Sequence, residues 1–463
     1  METTNNANLD LFIQLVRSAN KPTLNDLLNK SWEENKLKTI AIIFNSRDRI
    51  GGKKEKDVSN FCLSWLKKNY NEIYKMNVLT YINKYGCWND LNYVIKTNYK
   101  NNYEYKLFAN QLKEDKKALD ENRPISLCAK WVINANTDHT IKIARYLFDD
   151  IKNYHEKYRK EYLKPLRQKL ELVETKICNN DWENVNYNKI PAGALKYYKK
   201  LFIKKDGNNY SNFIKDLTEN NKKIKITGLL PHQIIKTYLD NMHNDDIDET
   251  LELEWKTLVS FYTDMNINSN DDDSILPVVD VSGSMFCFSN KKSTVMPVTV
   301  SIALGLLLAE INKGIYHNKV ITFSEKPQIF EVRGKTLKDK IKCLRDAEMG
   351  FNTNFLKIAD LLINNNLTCK RLICFTDMQF DVGQHHNLFI EKFKNNGLEV
   401  PELIYWNLSG EFNNFPINDT NTNTSILSGF SEQFLKIILE KDALDAPKIM
   451  NKILEPYYEF IKI

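Results

Sequence analysis

The stretch Ile275-Leu276-Pro277-Val278-Val279-Asp280-Val281-Ser282-Gly283-Ser284 is where the character of this chain changes. Ile275 to Val279 is a continuous apolar run, the pattern of a strand covered on both faces. Pro277 sits near its start, where a missing ladder donor is tolerated. Polar residues then take over: Asp280, Ser282 and Ser284 follow at i, i+2 and i+4. That spacing can point three oxygens to one side, and Gly283 permits the tight turn it needs. Downstream, the apolar segment Val295 to Asn312 predicts a buried helix. Lys319 to Phe323, Gln328 to Val332, Arg371 to Thr376, Leu403 to Trp406 and Ser425 to Leu427 predict short strands. Further helices are expected near Leu337 to Leu344, Asn354 to Ile363, Glu432 to Glu440 and Pro447 to Phe460. Strands alternating with helices over residues 275–463 indicate a doubly wound α/β domain, expected to fold by itself.

Upstream the pattern is helical. Asn60 to Lys68 and Met76 to Tyr85 place apolar residues three and four apart, as half-buried helices require. Turn signals recur at Gly51-Gly52, Gly86, Pro124, Pro191 and Gly228, the spacing of paired helices stacked as a solenoid. The expected architecture is therefore multidomain. An all-α helical-repeat region covers 1–265, an acidic linker 266–274 contains Asp271-Asp272-Asp273, and the α/β domain covers 275–463.

Composition narrows the class. The chain has 463 residues, more than one hydrophobic core usually serves, and 42% are hydrophobic, enough to bury sizeable cores. A net charge of +6 permits an anionic partner without demanding one. The eight cysteines include no CxxC pair and no zinc spacing, which fits free thiols in a reducing compartment. The N-terminus is polar, and the longest apolar run, Val295 to Ile311, is short for a membrane span. The expected location is cytoplasmic, or the host cytoplasm or virion if the chain is viral, with no membrane partner.

The polar residues downstream of the strands converge on one chemistry. Asp280, Ser282 and Ser284 leave the first strand, Thr353 precedes a helix, and Asp377 follows directly on the strand Arg371 to Thr376. Carboxylates and hydroxyls are hard oxygen donors, suited to Mg²⁺ or Mn²⁺. Two carboxylates with three neutral oxygens leave the ion electrophilic, ready to accept a carboxylate or phosphate from a partner. The set contains no evident nucleophile or general base.

These residues carry a resemblance. Asp280-Val281-Ser282-Gly283-Ser284 resembles the DxSxS signature of von Willebrand factor A domains, and Thr353 and Asp377 match that family's distal threonine and aspartate. The resemblance implies a metal-ion-dependent adhesion site. Here the threonine follows Phe351-Asn352, where many members have glycines. A helical region followed by such a domain is similar to the Ro ribonucleoprotein family, whose TROVE module is a ring of HEAT-like helical repeats that binds RNA. Further motifs resemble a plant, fungal and giant-virus family known as a domain of unknown function. They are Arg47-Asp48 with Gly51-Gly52-Lys53, Tyr85-Gly86-Cys87-Trp88-Asn89-Asp90-Leu91, Ala129-Lys130-Trp131, Ile190-Pro191-Ala192, Phe202 to Asp206, and Thr376-Asp377-Met378-Gln379-Phe380-Asp381.

Bases outnumber acids about two to one between Lys160 and Lys236. Within that stretch, helical spacing puts Lys196, Lys199, Lys200 and Lys204 on one arc, opposite Leu195, Tyr198, Leu201 and Phe202. A row of ammonium groups can neutralise phosphates, although a solvated lysine face has the same pattern. Gly51-Gly52-Lys53-Lys54 lacks the spacing of a phosphate loop and reads as a basic turn. His385-His386 reads as a surface pair, since adjacent helical side chains diverge by about 100°. The function expected is a non-enzymatic binding protein. Its helical region would hold structured or single-stranded RNA, and its α/β domain would dock a protein partner that donates a carboxylate to the metal. The alternatives are a protein-interaction scaffold without RNA and, as a minor reading, a metal-dependent hydrolase at Asp280.

Overall fold

The computed structural model describes residues 4–17, 19–97, 102–133, 138–150, 152–220, 229–241, 246–265, 274–288, 294–323, 327–345, 355–378, 385–409, 424–435 and 445–463. Up to residue 265, every regular element among them is helical. Beyond that point six strands form one sheet. They are β1 (Ile275–Asp280), β2 (Lys319–Phe323), β3 (Gln328–Glu331), β4 (Arg371–Thr376), β5 (Glu402–Asn407) and β6 (Thr424–Ser428). Their spatial order is β3-β2-β1-β4-β5-β6, and only the β2–β3 pairing is antiparallel.

Every residue of β1, β4, β5 and β6 is buried, as continuous apolar runs predict for parallel strands covered on both faces. The register sorts their side chains into two rows. Val279, Phe375, Trp406 and Leu427 share one face; Val278, Cys374, Tyr405 and Ile426 share the other. The helix Pro297–Ile311 packs on the first row and is buried except at Glu310. A methyl at Gly305 would come within 2.2 Å of Val279 Cγ2, so glycine sets how close this helix lies. On the second row, Tyr405 meets Phe355 at 5.4 Å, and Phe355 meets Phe389 of the helix His385–Asn395 at 5.0 Å.

The chain divides into two compact units. One comprises residues 1–59 and 214–461, the other 60–213 and 462–463. The division expected at 266–274 is not where they part, and the helices of 1–265 are shared between both units instead of forming one array. Residues 266–273 of the expected linker lie outside the described residues. The cause is the partner each apolar face finds. Phe12 of the helix Ala7–Gln14 lies 6.3 Å from Phe434, which packs at 6.0 Å on Trp406 of β5, so the first helix joins the sheet's core.

The Gly51-Gly52-Lys53-Lys54 turn fastens this arrangement. A methyl at Gly52 would reach 2.0 Å from the Asn45 carbonyl oxygen, so the backbone approaches where only glycine fits. Lys53 is buried, and its Nζ donates to the Phe12 carbonyl and, at 2.7 Å, to Ser428 Oγ at the end of β6. Lys54 pairs with Glu432 at 2.7 Å, and the Tyr457 hydroxyl donates to Asp48 at 2.8 Å. The turn is thus structural, and the basic-turn reading understated it.

Within the second unit most ties are local, apart from the pair of bonds between Asn77 and Lys462. Asp90 caps its own helix, accepting from Cys87 N (2.9 Å) and Asn60 Nδ2 (3.1 Å). Gly86 makes room, since a methyl there would lie 2.6 Å from Asp90 Oδ2. Buried Glu104 accepts from Lys67 Nζ (2.9 Å) and Tyr74 OH (2.7 Å). Tyr187, Phe202, Tyr210 and Phe213 form an aromatic cluster with centroids 5.2 to 5.5 Å from Tyr187.

Candidate functional site

The winding of the sheet reverses at β1, because the chain leaves it for β2 on one side and places β4, β5 and β6 on the other. The crevice outside the strand ends at such a point is the usual ligand position in open α/β sheets. Asp280 is the last residue of β1 and Thr376 the last of β4, with Asp377 immediately after it. All three are buried.

The geometry around Asp280 is closely determined. Its Oδ1 accepts from the backbone N–H of Ser282 at 2.9 Å, the bond that bends the chain sharply out of the strand. Its Oδ2 accepts from Thr376 Oγ1 at 2.6 Å, across the switch point. Ser282 Oγ and Ser284 Oγ stand 3.2 Å apart, one before and one inside the 3₁₀ turn Gly283–Phe286. Asp280, Ser282 and Ser284 are therefore brought together. Burial pushes the Asp280 carboxyl up to about 7 and the nearby Asp377 charge adds to this, while hydrogen bonds from Thr376 and Ser282 oppose it. The Cys374 thiol, two residues before the end of β4, is raised by burial and by both aspartates.

Thr353 lies outside the described residues, as do the side chains of His385 and His386. Thr376 escaped the sequence reading, which ended the strand there and assigned the chemistry to Asp377. The available signal was register: Val279 pairs with Phe375, so the next residue on each strand is Asp280 and Thr376. Met378 is a second such residue. It has φ 67°, a left-handed conformation uncommon outside glycine, and its N–H donates to Thr376 Oγ1 at 3.1 Å. The turn after β4 is thus tied to the hydroxyl that holds Asp280. Beside Ser284, Phe286 and Phe288 are 38% and 50% exposed, which gives the polar site an apolar margin.

The donor set suits a hard divalent cation. Among the described residues no group of three or more His, Cys, Asp or Glu side chains could hold a metal. What converges here is two carboxylates with hydroxyls, the oxygen-rich, low-charge set that Mg²⁺ accepts while keeping waters. A cation at this point would also offset the burial and the Asp377 charge that lift Asp280.

The lysine arc lies in the second unit, on the helical segment Ala192–Glu219, which is broken at Asp206 by a non-helical φ of −143°. Leu195 and Phe202 are buried as expected. The four lysines are not equivalent: Lys200 and Lys204 are exposed, while Lys196 and Lys199 are half-buried and each has an interaction of its own. No helix among the described residues is long and apolar enough to cross a membrane.

The family model for a domain of unknown function, DUF2828, matches residues 1–106 and 99–265, more than half of the chain. The chain belongs to this family. A second domain of unknown function, DUF7788, matches residues 274–456 of this DUF2828 protein. An uncharacterised protein of Acanthamoeba polyphaga mimivirus is 31% identical over 506 aligned positions, covering 98% of this chain and 86% of its relative. That is one of the sources the motif resemblance named. The crystal structure of the Deinococcus radiodurans RO (RSR) protein aligns over 93% of this chain and 90% of its own, at 12% identity and a TM-score of 0.39.

Proposed function

We propose that this chain is a binding protein that docks a partner through a divalent cation. The cation, Mg²⁺ or Mn²⁺, is held by Asp280, Ser282 and Ser284, with Asp377 and Thr353 completing a von Willebrand factor A-like adhesion site. The observation that carries the reading is the convergence at the switch point: Asp280 fixed by Ser282 N and Thr376 Oγ1, the two serine hydroxyls 3.2 Å apart, and the Asp377 charge within reach. The cation, when bound, supplies an electrophilic position for a partner's carboxylate. The chain's own residues set its orientation. Phe286 and Phe288 offer the same partner apolar contact.

Calorimetry on the full chain tests this. Wild type is expected to bind Mg²⁺ or Mn²⁺, and Asp280→Asn to abolish that binding. The variant should melt no lower than wild type in chelator, because one of two crowded buried carboxylates has lost its charge. Equal affinity in both proteins rejects the site.

A second reading is favoured by one observation. Residues 192–205 contain five lysines and no acid, and Lys200 and Lys204 face solvent. This supports a nucleic-acid surface on the second unit, dependent on phosphate neutralisation.

A further inference from the structure

Tyr197 is 80% exposed, the most exposed of the large apolar side chains on the described surface. On a helix it shares a face with Lys200 and Lys204, three and seven residues on, about 4.5 Å and 10.5 Å along the axis. Leaving an aromatic ring in water forgoes the burial that its neighbour Phe202, fully buried, obtains. The ring is nonetheless firmly carried. Tyr198 meets it nearly perpendicularly, at 4.8 Å and 88°, and Tyr198 packs in turn on Phe202 at 6.1 Å, inside the cluster around Tyr187. Lysine frequency alone does not account for a tyrosine set outward among lysines on a helix anchored this way.

The local charge is one-sided. Glu174, whose charge acts on Tyr198, is engaged by Lys130 at 2.8 Å. Asp206, at the end of the segment, accepts from Tyr187 OH at 2.7 Å and from Asn209 at 2.8 Å. Both carboxylates are thus engaged by neighbours, and residues 192–205 themselves carry five lysines and no acid.

We infer that Tyr197 is a base-stacking platform, with Lys200 and Lys204 holding the adjoining phosphates, so that this face takes single-stranded nucleic acid in preference to duplex. The inference rests on the second reading above and deepens it. A flat aromatic face accepts any unpaired base, whereas in a duplex the bases are already stacked and only the phosphates remain available. A protein partner rich in acids would need the lysines and gain little from the ring.

The test uses the full chain and a labelled 20-nucleotide polyuridylate, titrated by fluorescence anisotropy across salt concentrations. Tyr197→Ala should weaken binding roughly 5- to 150-fold at every salt concentration without changing the salt slope. Tyr197→Trp should restore it. Lys200→Gln with Lys204→Gln should flatten the slope by about 1.4 units, at about 0.7 per single-strand phosphate contact. A duplex of equal length should bind more weakly and be indifferent to Tyr197→Ala. Tyr197 and both lysines are exposed, so matching thermal melts will show that the variants fold. If wild type binds the single strand and Tyr197→Ala binds equally well, the stacking role is overturned while the nucleic-acid reading stands. If wild type does not bind at low salt, both fall. If polyglutamate competes as well as polyuridylate and Tyr197 is immaterial, the surface is a protein-docking face and the inference is wrong.

Discussion

The two compact units hold their buried polar groups with a different balance of near and distant ties. In the sheet-bearing unit the ties join distant parts of the chain: Lys53 to Ser428 across 375 residues, Lys54 to Glu432 across 378, Tyr457 to Asp48 across 409. In the helical unit most are short: Asn60 to Asp90 across 30 residues, Lys67 to Glu104 across 37, Tyr187 to Asp206 across 19. The exception is buried Asn77, which exchanges two bonds with Lys462 across 385. The difference teaches where independence lies. A unit built from local contacts carries its partners with it when excised, whereas one closed over hundreds of residues depends on both ends being present.

The largest expected effect follows directly. A fragment of residues 274–463 contains all six strands but lacks the helix Ala7–Gln14, the Gly51-Gly52-Lys53-Lys54 turn and everything else in 1–59. It leaves exposed the Trp406–Phe434 face that Phe12 covers, and strips Ser428, Glu432 and Tyr457 of their partners. The fragment is expected to be insoluble or to melt without cooperativity. Residues 60–213 expressed alone should remain helical and melt cooperatively by circular dichroism. The comparison breaks if 274–463 proves soluble with a sharp transition.

A smaller effect, readable as pH dependence, tests the same junction. Burial pushes the Lys53 ammonium down to about 7 in the folded protein, partly opposed by Glu55, against an ordinary value near 10.5. Between those two pH values the unfolded chain holds the proton and the folded chain does not, so stability rises with pH through that window. Below pH 7 both states are protonated and the dependence vanishes. Relative to Lys53→Met, wild type should gain on the order of 3 kcal/mol between pH 7 and pH 10. Urea denaturation of the two proteins at several pH values measures it. Parallel profiles would mean that Lys53 is solvated, and that the link to β6 is weaker than its geometry.

Much of the sheet was legible because its signals are local. Lys319 to Phe323 and Arg371 to Thr376 begin and end where the apolar runs do, and β5 and β6 each exceed the expected strand by one residue at either end. That Asp280, Ser282 and Ser284 come together was readable for the same reason, since they lie within five residues of one another. Thr376 was not, since its meaning depends on register with a strand about a hundred positions away. The packing of residues 1–59 with the sheet was not legible for a related cause. Composition shifts at the acidic stretch, but packing is decided by which apolar faces meet, and nothing in Phe12 or Lys53 alone names a strand near residue 428. The lysine row shows the reverse failure: periodicity grouped four side chains that the fold separates into an exposed pair and an engaged pair.

The smallest effect sharpens the contrast between the units at a single atom. Gly52 and Gly193 are both glycines at motif-like positions, and Ala at each adds one methyl. At Gly52 that methyl meets the Asn45 carbonyl oxygen at 2.0 Å and Asp48 Cβ at 2.8 Å, both on the chain that carries the long-range ties. Backbone would have to move, and the change should destabilise. At Gly193, exposed in the first turn of the helix Ala192–Glu219, the methyl meets nothing within 4 Å. No positive φ is required there, so alanine costs no strain and restricts the unfolded chain. Gly193→Ala should therefore stabilise the helical unit by about 0.5 kcal/mol, read as a small upward shift of its own melting transition. If the sheet-bearing unit melts separately, its transition should not move. A stabilising Gly52→Ala, or a destabilising Gly193→Ala, would reverse the assignment of close backbone approach to one unit and open helix surface to the other.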